Sequence, residues 1–258
     1  YGNMFLYLFY IFLGFLPGLI WLSFYLKKDR HPEPNSIVLK LFFWGMLLTP
    51  PAIVLELLLI WLLNPDLQFA SILLQTPQNG FIRIILAATL VPALVEEYLK
   101  YAIIRFKFLK NSEFDEPTDI MLYCIIVGLG FASVENLLVL FKISSSDVGQ
   151  AIGTMALRFF GATLVHALAC GIVGYWLAKG LLKLKNRKKM VSIGLTIAIV
   201  FHSCYNYLVV AISRQTAHEQ RMFSFLLTAV LLAATAFLVS FYFRKLKKQQ
   251  SVCKIYSR

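Results

Sequence analysis

Long apolar runs alternate with short polar connections along the chain. The runs fall at Met4–Leu26, Ile37–Leu63, Phe81–Ile104, Thr118–Phe141, Ala151–Leu182, Met190–Ile212 and Met222–Phe243. Each has the roughly 18–20 mostly apolar residues that let a helix cross a bilayer. The pattern predicts an all-α polytopic membrane protein, a bundle of about seven transmembrane helices forming one domain over residues 1–258. The fifth run is long for one crossing, so it projects from the bilayer or begins near Arg158. Pro50-Pro51 are expected to break or kink the second run, and Pro92 to kink the third one turn before Glu96. Pro65, Pro77 and Gly80 mark Asn64–Gly80 as a turn-rich connection. Asp115-Glu116-Pro117-Thr118-Asp119 reads as a helix start, with acidic residues and proline in its first turn.

Composition confirms the class. The chain is 59% hydrophobic, with a mean hydropathy of +0.72, well above a soluble domain. The formal charge of +12 does not indicate nucleic acid, because of where the charges fall. Lys27, Lys28 and Arg30 follow run one; Arg105, Lys107 and Lys110 follow run three. Lys179, Lys183, Lys185, Arg187, Lys188 and Lys189 follow run five, and Arg244, Lys245, Lys247, Lys248, Lys254 and Arg258 follow run seven. The alternate connections are poor in Lys and Arg. This asymmetry puts the N-terminus outside and the C-terminus in the cytoplasm. The basic connections also attract anionic lipid. Cys124, Cys170 and Cys204 lie within runs and read as buried packing residues, and Cys253 lies in the tail. No pair is placed for an extracytoplasmic disulfide, and no CxxC zinc pattern occurs. The first run lacks a basic leader and exceeds signal-peptide length, so it reads as a retained span.

Ionisable residues inside these runs are costly, so they are the first candidates for function. Glu96 and Glu97 are adjacent and point about 100° apart on a helix. Lys100 is four residues from one and three from the other, within reach of both. An apolar surround raises a carboxylate's pKa and brings a general base nearer neutrality. The competing readings are a buried ion pair that only fixes packing and a lysine that snorkels to the interface. Glu135-Asn136 follow the small-residue stretch Gly128-Leu-Gly-Phe-Ala-Ser, which favours close helix approach. Glu135 is a candidate to assist a water or bind a metal, against a purely interhelical hydrogen bond. His202 and Asn206 lie at i and i+4 on one face and suit oxyanion donation, with metal ligation by His202 and simple bundle-gluing as alternatives. His166 stands alone in its run. Glu56 is a second-tier candidate, and His31 and His218 read as solvated. No His-Glu-x-x-His or Gly-x-Ser-x-Gly motif is present. All five aspartates lie in connections or at run ends, which leaves no intramembrane aspartyl dyad. Ser133 and Ser203 are expected to bond back to their own helices.

Together these motifs resemble the PrsW family of intramembrane proteases. The matching residues are Glu96-Glu97-Tyr98-Leu99-Lys100, Phe131-Ala-Ser-Val-Glu135-Asn136, Arg158 with His166-Ala167-Leu168, Gly171 and Gly174, and His202-Ser-Cys-Tyr-Asn206. Pro17-Gly18, Trp21 and Asp29-Arg-His-Pro-Glu33-Pro34 are similar to the family's opening segment, and Asp119 and Tyr123 also fit. Ile120 and Cys124 stand where the family often carries small residues. The resemblance runs from about Pro17 to Asn206, with four motifs in order on separate spans. It implies a multi-pass protein of a bacterial plasma membrane that cleaves membrane-anchored regulators, notably anti-sigma factors. The family is similar to the type II CAAX prenyl proteases. That likeness implies Glu96 or Glu97 as the base, Glu135 where relatives carry a histidine, and His202 and Asn206 lining an oxyanion hole. Lys100, Asn136 and Arg158 would support them.

The expected function is therefore hydrolysis of a single-pass membrane protein substrate by glutamate-activated water, with lipid and no nucleic acid as the other surroundings. The cofactor stays open: none for a glutamic-type enzyme, or zinc held by His166, His202 and a glutamate such as Glu135 in a metalloprotease. A proton-coupled transporter would use similar buried groups, but no internal symmetry supports one. A non-catalytic scaffold has no need of a base facing oxyanion donors. At a rise of about 1.5 Å per residue, His202 and Asn206 fall near the middle to outer half of the bilayer, with Glu135 shallower and Glu96 deeper. A later start of the third run, a tilt, or a kink at Pro92 would bring them level.

Overall fold

A computed structural model of the protein describes residues 2–29, 33–63, 86–109, 116–143, 147–182 and 186–256. These residues form α1 (Gly2–Leu26), α2 (Asn35–Leu47), α3 (Thr49–Leu63), α4 (Val91–Ile103), α5 (Pro117–Leu140), α6 (Val148–Phe160), α7 (Ala162–Leu182), α8 (Arg187–Arg214) and α9 (His218–Tyr256). Single π-helical turns, Leu86–Leu90 and Ile104–Phe108, flank α4. The described residues contain no strand. Six helical stretches are long and apolar enough to cross a membrane, and α4 with its flanking turns is packed among them against α3 and α8. The chain is thus a multi-pass all-α membrane protein.

Helices α5 and α7 pack on each other along their length and form the centre. Nearly every side chain of α5 from Thr118 to Ser133 is buried. Close approach is built from missing side chains. A Cβ on Gly128 would lie 2.6 Å from Cys170 Sγ and 2.9 Å from the His166 carbonyl oxygen; one on Gly130 would lie 2.1 Å from the Phe42 carbonyl oxygen. Glycine at 128 lets α7 bring His166 against α5, and glycine at 130 seats α2 on the other side. α1 also packs on α5. Its Trp21 indole donates to the Phe159 carbonyl at 2.9 Å and stacks on the Phe159 ring, tying α1 to the end of α6.

The prolines act where expected. The second run divides at Leu48 into α2 and α3. Pro50 and Pro51 fall in the first turn of α3, where a missing N–H costs no intrahelical bond. Pro92 sits where a π-helical turn gives way to α4. α5 begins at Pro117, and the Glu116 N–H donates to Asp119 Oδ2 at 2.7 Å, as the acidic helix start implied. The fifth run is not one helix. It breaks at Gly161 into α6 and α7, and glycine is required there because a Cβ would lie 2.5 Å from the Tyr205 hydroxyl oxygen.

Two expectations are corrected. Cys204 is exposed on the outer face of α8, while Cys124 and Cys170 are buried as packing residues should be. Ser133 does bond back, to the Leu129 carbonyl at 2.8 Å, but the Ser203 hydroxyl is buried with no such bond. The Asn64–Gly80 connection, the start of the third run at Phe81, and Arg30, His31, Lys110, Asp115, Lys183, Lys185 and Arg258 lie outside the described residues, as do the side chains of Cys253 and Lys254. The ends of α1 and α9 meet: burial, helped by the nearby Lys247 and Arg244, lowers the Lys28 ammonium below the ordinary lysine range. Two of the basic clusters therefore share one end of the bundle.

Candidate active site

The first turns of α4 present the acidic pair to the centre of the bundle. Glu96, Glu97 and Lys100 are all buried, so Lys100 does not snorkel. Its ammonium lies 3.1 Å from Glu96 Oε2 and 2.9 Å from Glu97 Oε1, the i,i+4 and i,i+3 pairs that the spacing allowed. Its third contact reaches α7, with His166 Nδ1 at 2.8 Å. The face of Phe131 on α5 lies 4.3 Å from the same nitrogen.

An ammonium has donors and no acceptor, so His166 Nδ1 must accept. The imidazole proton is then on Nε2, which donates to Glu135 Oε2 on α5 at 2.7 Å. His166 is held as a neutral ring of defined tautomer between a cation and a carboxylate. His202 on α8 places Nδ1 2.9 Å from Glu97 Oε1. A carboxylate oxygen only accepts here, so Nδ1–H is the donor. The two imidazoles stand perpendicular with centroids 5.1 Å apart. Cys170, one turn beyond His166, reaches Glu97 Oε2 at 4.0 Å.

Glu135 links this dry cluster to its edge. Its side chain is 29% exposed and that of its partner Arg158 is 20% exposed, whereas Glu97 is wholly buried. Arg158, on the last turn of α6, donates from Nη2 to Glu135 at 3.3 Å and from Nε to Asn136 Oδ1 at 2.6 Å. Asn136 Nδ2 in turn donates to the Gly14 carbonyl and to Thr163 Oγ1, each at 3.2 Å. Asn136 is thereby fixed among α1, α6 and α7, and it fixes Arg158.

The structure thus joins Glu96, Glu97, Lys100, Glu135, Asn136, Arg158, His166 and His202 in one hydrogen-bonded network drawn from five helices. The contacts bring Glu96 and Glu97 beside His166 and His202, and His166 beside Glu135, so the acidic pair and the imidazoles converge. Asn206 stands apart from the network. It is one turn along α8 from His202, and its amide donates to the Thr89 carbonyl at a long 3.4 Å. Glu56 is half-buried on α3, within electrostatic range of Glu135 and Lys100. His218 is exposed at the start of α9. Thr163, Thr89 and the thiol of Cys170 were not among the sequence candidates. Thr163, His166 and Cys170 share a helix face at i, i+3 and i+7, which is the signal that would have found two of them.

Glu96, Glu97, His166 and His202 each offer a ligand atom, and these atoms all lie within 4.8 Å of one another. Glu135 is not in this set, because it faces the other ring nitrogen of His166. Two carboxylates and two imidazoles suit zinc, and a carboxylate on the far nitrogen of a histidine is the usual support for a metal ligand.

The family model for "PrsW family intramembrane metalloprotease" matches residues 33–240. Protease PrsW of Geobacillus kaustophilus (strain HTA426) is 30% identical over 202 residues, covering 78% of this chain and 80% of that protein. Protease PrsW of Bacillus subtilis (strain 168) is 28% identical over 241 residues, 93% of this chain and 94% of that one. Protease PrsW of Clostridioides difficile (strain 630) is 26% identical over 199 residues, 76% and 77% of the two chains. No solved structure matches the chain.

Proposed function

The chain belongs to the PrsW family of intramembrane proteases, a multi-pass bacterial membrane hydrolase, and from that premise we propose that Glu96 is its general base. The transporter and scaffold readings fall away with the family. The observation that carries the assignment is the unequal engagement of the adjacent carboxylates. Glu97 is committed to Lys100 and His202, whereas Glu96 has one ammonium contact, at 3.1 Å.

In this reading Glu96 takes a proton from water as the water oxygen attacks the scissile carbonyl carbon. The oxyanion that forms is met by Nε2–H of His202, taken as the imidazolium whose Nδ1–H stays on the Glu97 carboxylate, and by Asn206, whose long bond to Thr89 is readily given up. The proton held by Glu96 then passes to the leaving amide nitrogen, and the C–N bond breaks to a carboxylate and an amine. Buried, water-poor walls strengthen each of these electrostatic terms. The substrate is a single-pass membrane protein, of the anti-sigma-factor type that the resemblance implies, whose helix unwinds locally to expose a peptide bond. It approaches past Glu135 and Arg158, the exposed edge of the network.

A second reading is favoured by the four-donor set. Glu97, His166 and His202 would hold a divalent metal such as zinc as three protein ligands, with Glu96 still the base and Glu135 orienting His166. When bound, such an ion acidifies its water and polarises the carbonyl. The test is cleavage of a single-pass substrate in proteoliposomes, with the new C-terminus mapped by mass spectrometry. Wild-type protein is expected to cut within or beside the apolar segment, and His202→Ala and Glu96→Gln are not. Undiminished cutting by both variants would end the assignment.

A further inference from the structure

Lys100 stands where a cation ligand would be bound. Its ammonium contacts three of the four members of the donor set, at 2.8, 2.9 and 3.1 Å. The Phe131 ring covers it, and the side chain is 2% exposed. Every donor of the ammonium is therefore directed at a group able to ligate a metal. We propose that Lys100 is a tethered surrogate cation, which keeps the donors assembled in the metal-free protein and must withdraw for a divalent ion to enter. The proposal rests on reading Glu96, Glu97, His166 and His202 as a cation site.

Exclusion follows from valence and charge. His166 Nδ1 has a single lone pair, which either accepts from the ammonium or coordinates an ion. Its other nitrogen is already spent as donor to Glu135. Two buried carboxylates need positive charge nearby. The lysine supplies one unit of it and a divalent ion supplies two, so the ion satisfies the pair without the lysine. Lysine suits the task where arginine would not, since its charge is compact and its four-carbon stem flexible. Being on the same helix as the carboxylates, it rebinds without a diffusional cost. The apparent metal affinity of the wild-type protein is thus lowered by the fraction of time that the ammonium occupies the donors.

The experiment compares wild type, Lys100→Met and the double variant Lys100→Met/Glu97→Gln. All are purified in detergent without a histidine tag, stripped with chelator, and titrated with Zn²⁺ alone against a chromogenic competitor. Thermal unfolding is followed with and without the ion. Lys100→Met is expected to bind one Zn²⁺ about tenfold or more tighter than wild type, since the competing ammonium is gone. Its melting temperature should be below wild type in chelator and rise with Zn²⁺, while wild type shifts little. The double variant should be less dependent on the ion for stability and lose the tight binding. Equal or weaker binding by Lys100→Met, tight binding retained in the double variant, or a Lys100→Met protein that stays unfolded at saturating Zn²⁺ would each overturn the proposal. Wild-type cleavage in chelator, measured alongside, separates the two levels. If it persists while the Zn²⁺ results fail, the surrogate-cation role is lost and the protease reading stands.

Discussion

Replacing the two neighbouring glutamates by glutamine should give opposite balances of stability and activity. Glu97→Gln removes the acceptor's negative charge from two bonds, those from Lys100 and His202, each at 2.9 Å. The Lys100 bond keeps its charged donor, while the His202 bond falls from the charge-assisted range of about 1.5–3 kcal/mol to the neutral range of about 0.5–1.5, so losing it makes Glu97→Gln costlier than Glu96→Gln by about 1–2 kcal/mol. Glu96→Gln weakens a single bond, from Lys100 at 3.1 Å, and leaves the ammonium paired with Glu97 at 2.9 Å. As the proposed base, however, Glu96 should cost about 10²–10⁴-fold in cleavage rate when it can no longer take a proton. Glu96→Gln is therefore expected to melt near wild type yet be nearly inactive. Glu97→Gln should be the less stable protein, with its activity loss traceable to a misplaced His202. Thermal unfolding in detergent and single-turnover cleavage in proteoliposomes measure both. A Glu96→Gln enzyme that is active, or a Glu97→Gln protein more stable than Glu96→Gln, would refute the division of roles.

Other perturbations test the neighbouring parts. Arg158→Leu removes the fork between Glu135 and Asn136 and should slow cleavage by roughly tenfold, with Arg158→Lys recovering only part, because a point charge cannot replace a planar donor. Gly130→Val forces a side chain onto the Phe42 carbonyl and should cost about 1–3 kcal/mol or more of stability, whereas Gly153→Ala, at a site with nothing within 4 Å, should be neutral or stabilising by up to about 1 kcal/mol; detergent melting compares them. Reporter fusions should place the N-terminus outside and the C-terminus in the cytoplasm, as the basic connections require; the reverse would also reverse the face from which substrate approaches.

Much of this architecture was legible from the chain. The apolar runs located the spans because a bilayer demands unbroken hydrophobic length. Pro50-Pro51 located the α2–α3 break because proline costs no intrahelical bond in a helix's first turn. The Glu96/Glu97/Lys100 spacing gave an ion triad that the structure contains. What stayed hidden depends on rotation and contact between helices. The demand for glycine at 161 comes from Tyr205, forty-four positions along, which no local pattern exposes. Cys204 faces outward because α8 buries the face carrying Ala198, Phe201 and His202, and Cys204 lies off that face. Glu135 lies on the far nitrogen of His166, outside the four-donor set, and only the ring's orientation decides that. The resemblance named residues that the structure, Asn206 excepted, brings together, and contact geometry assigned them partners.

The central claim is that carboxylates and imidazoles from separate helices act as one hydrolytic unit. A double-mutant cycle on cleavage rate, joining Glu97→Gln to His202→Ala, tests it most directly. Groups that work together are strongly non-additive, so the double variant should be slower than the worse single variant by no more than about threefold. Losses that multiply, as for two independent sites, would contradict the account.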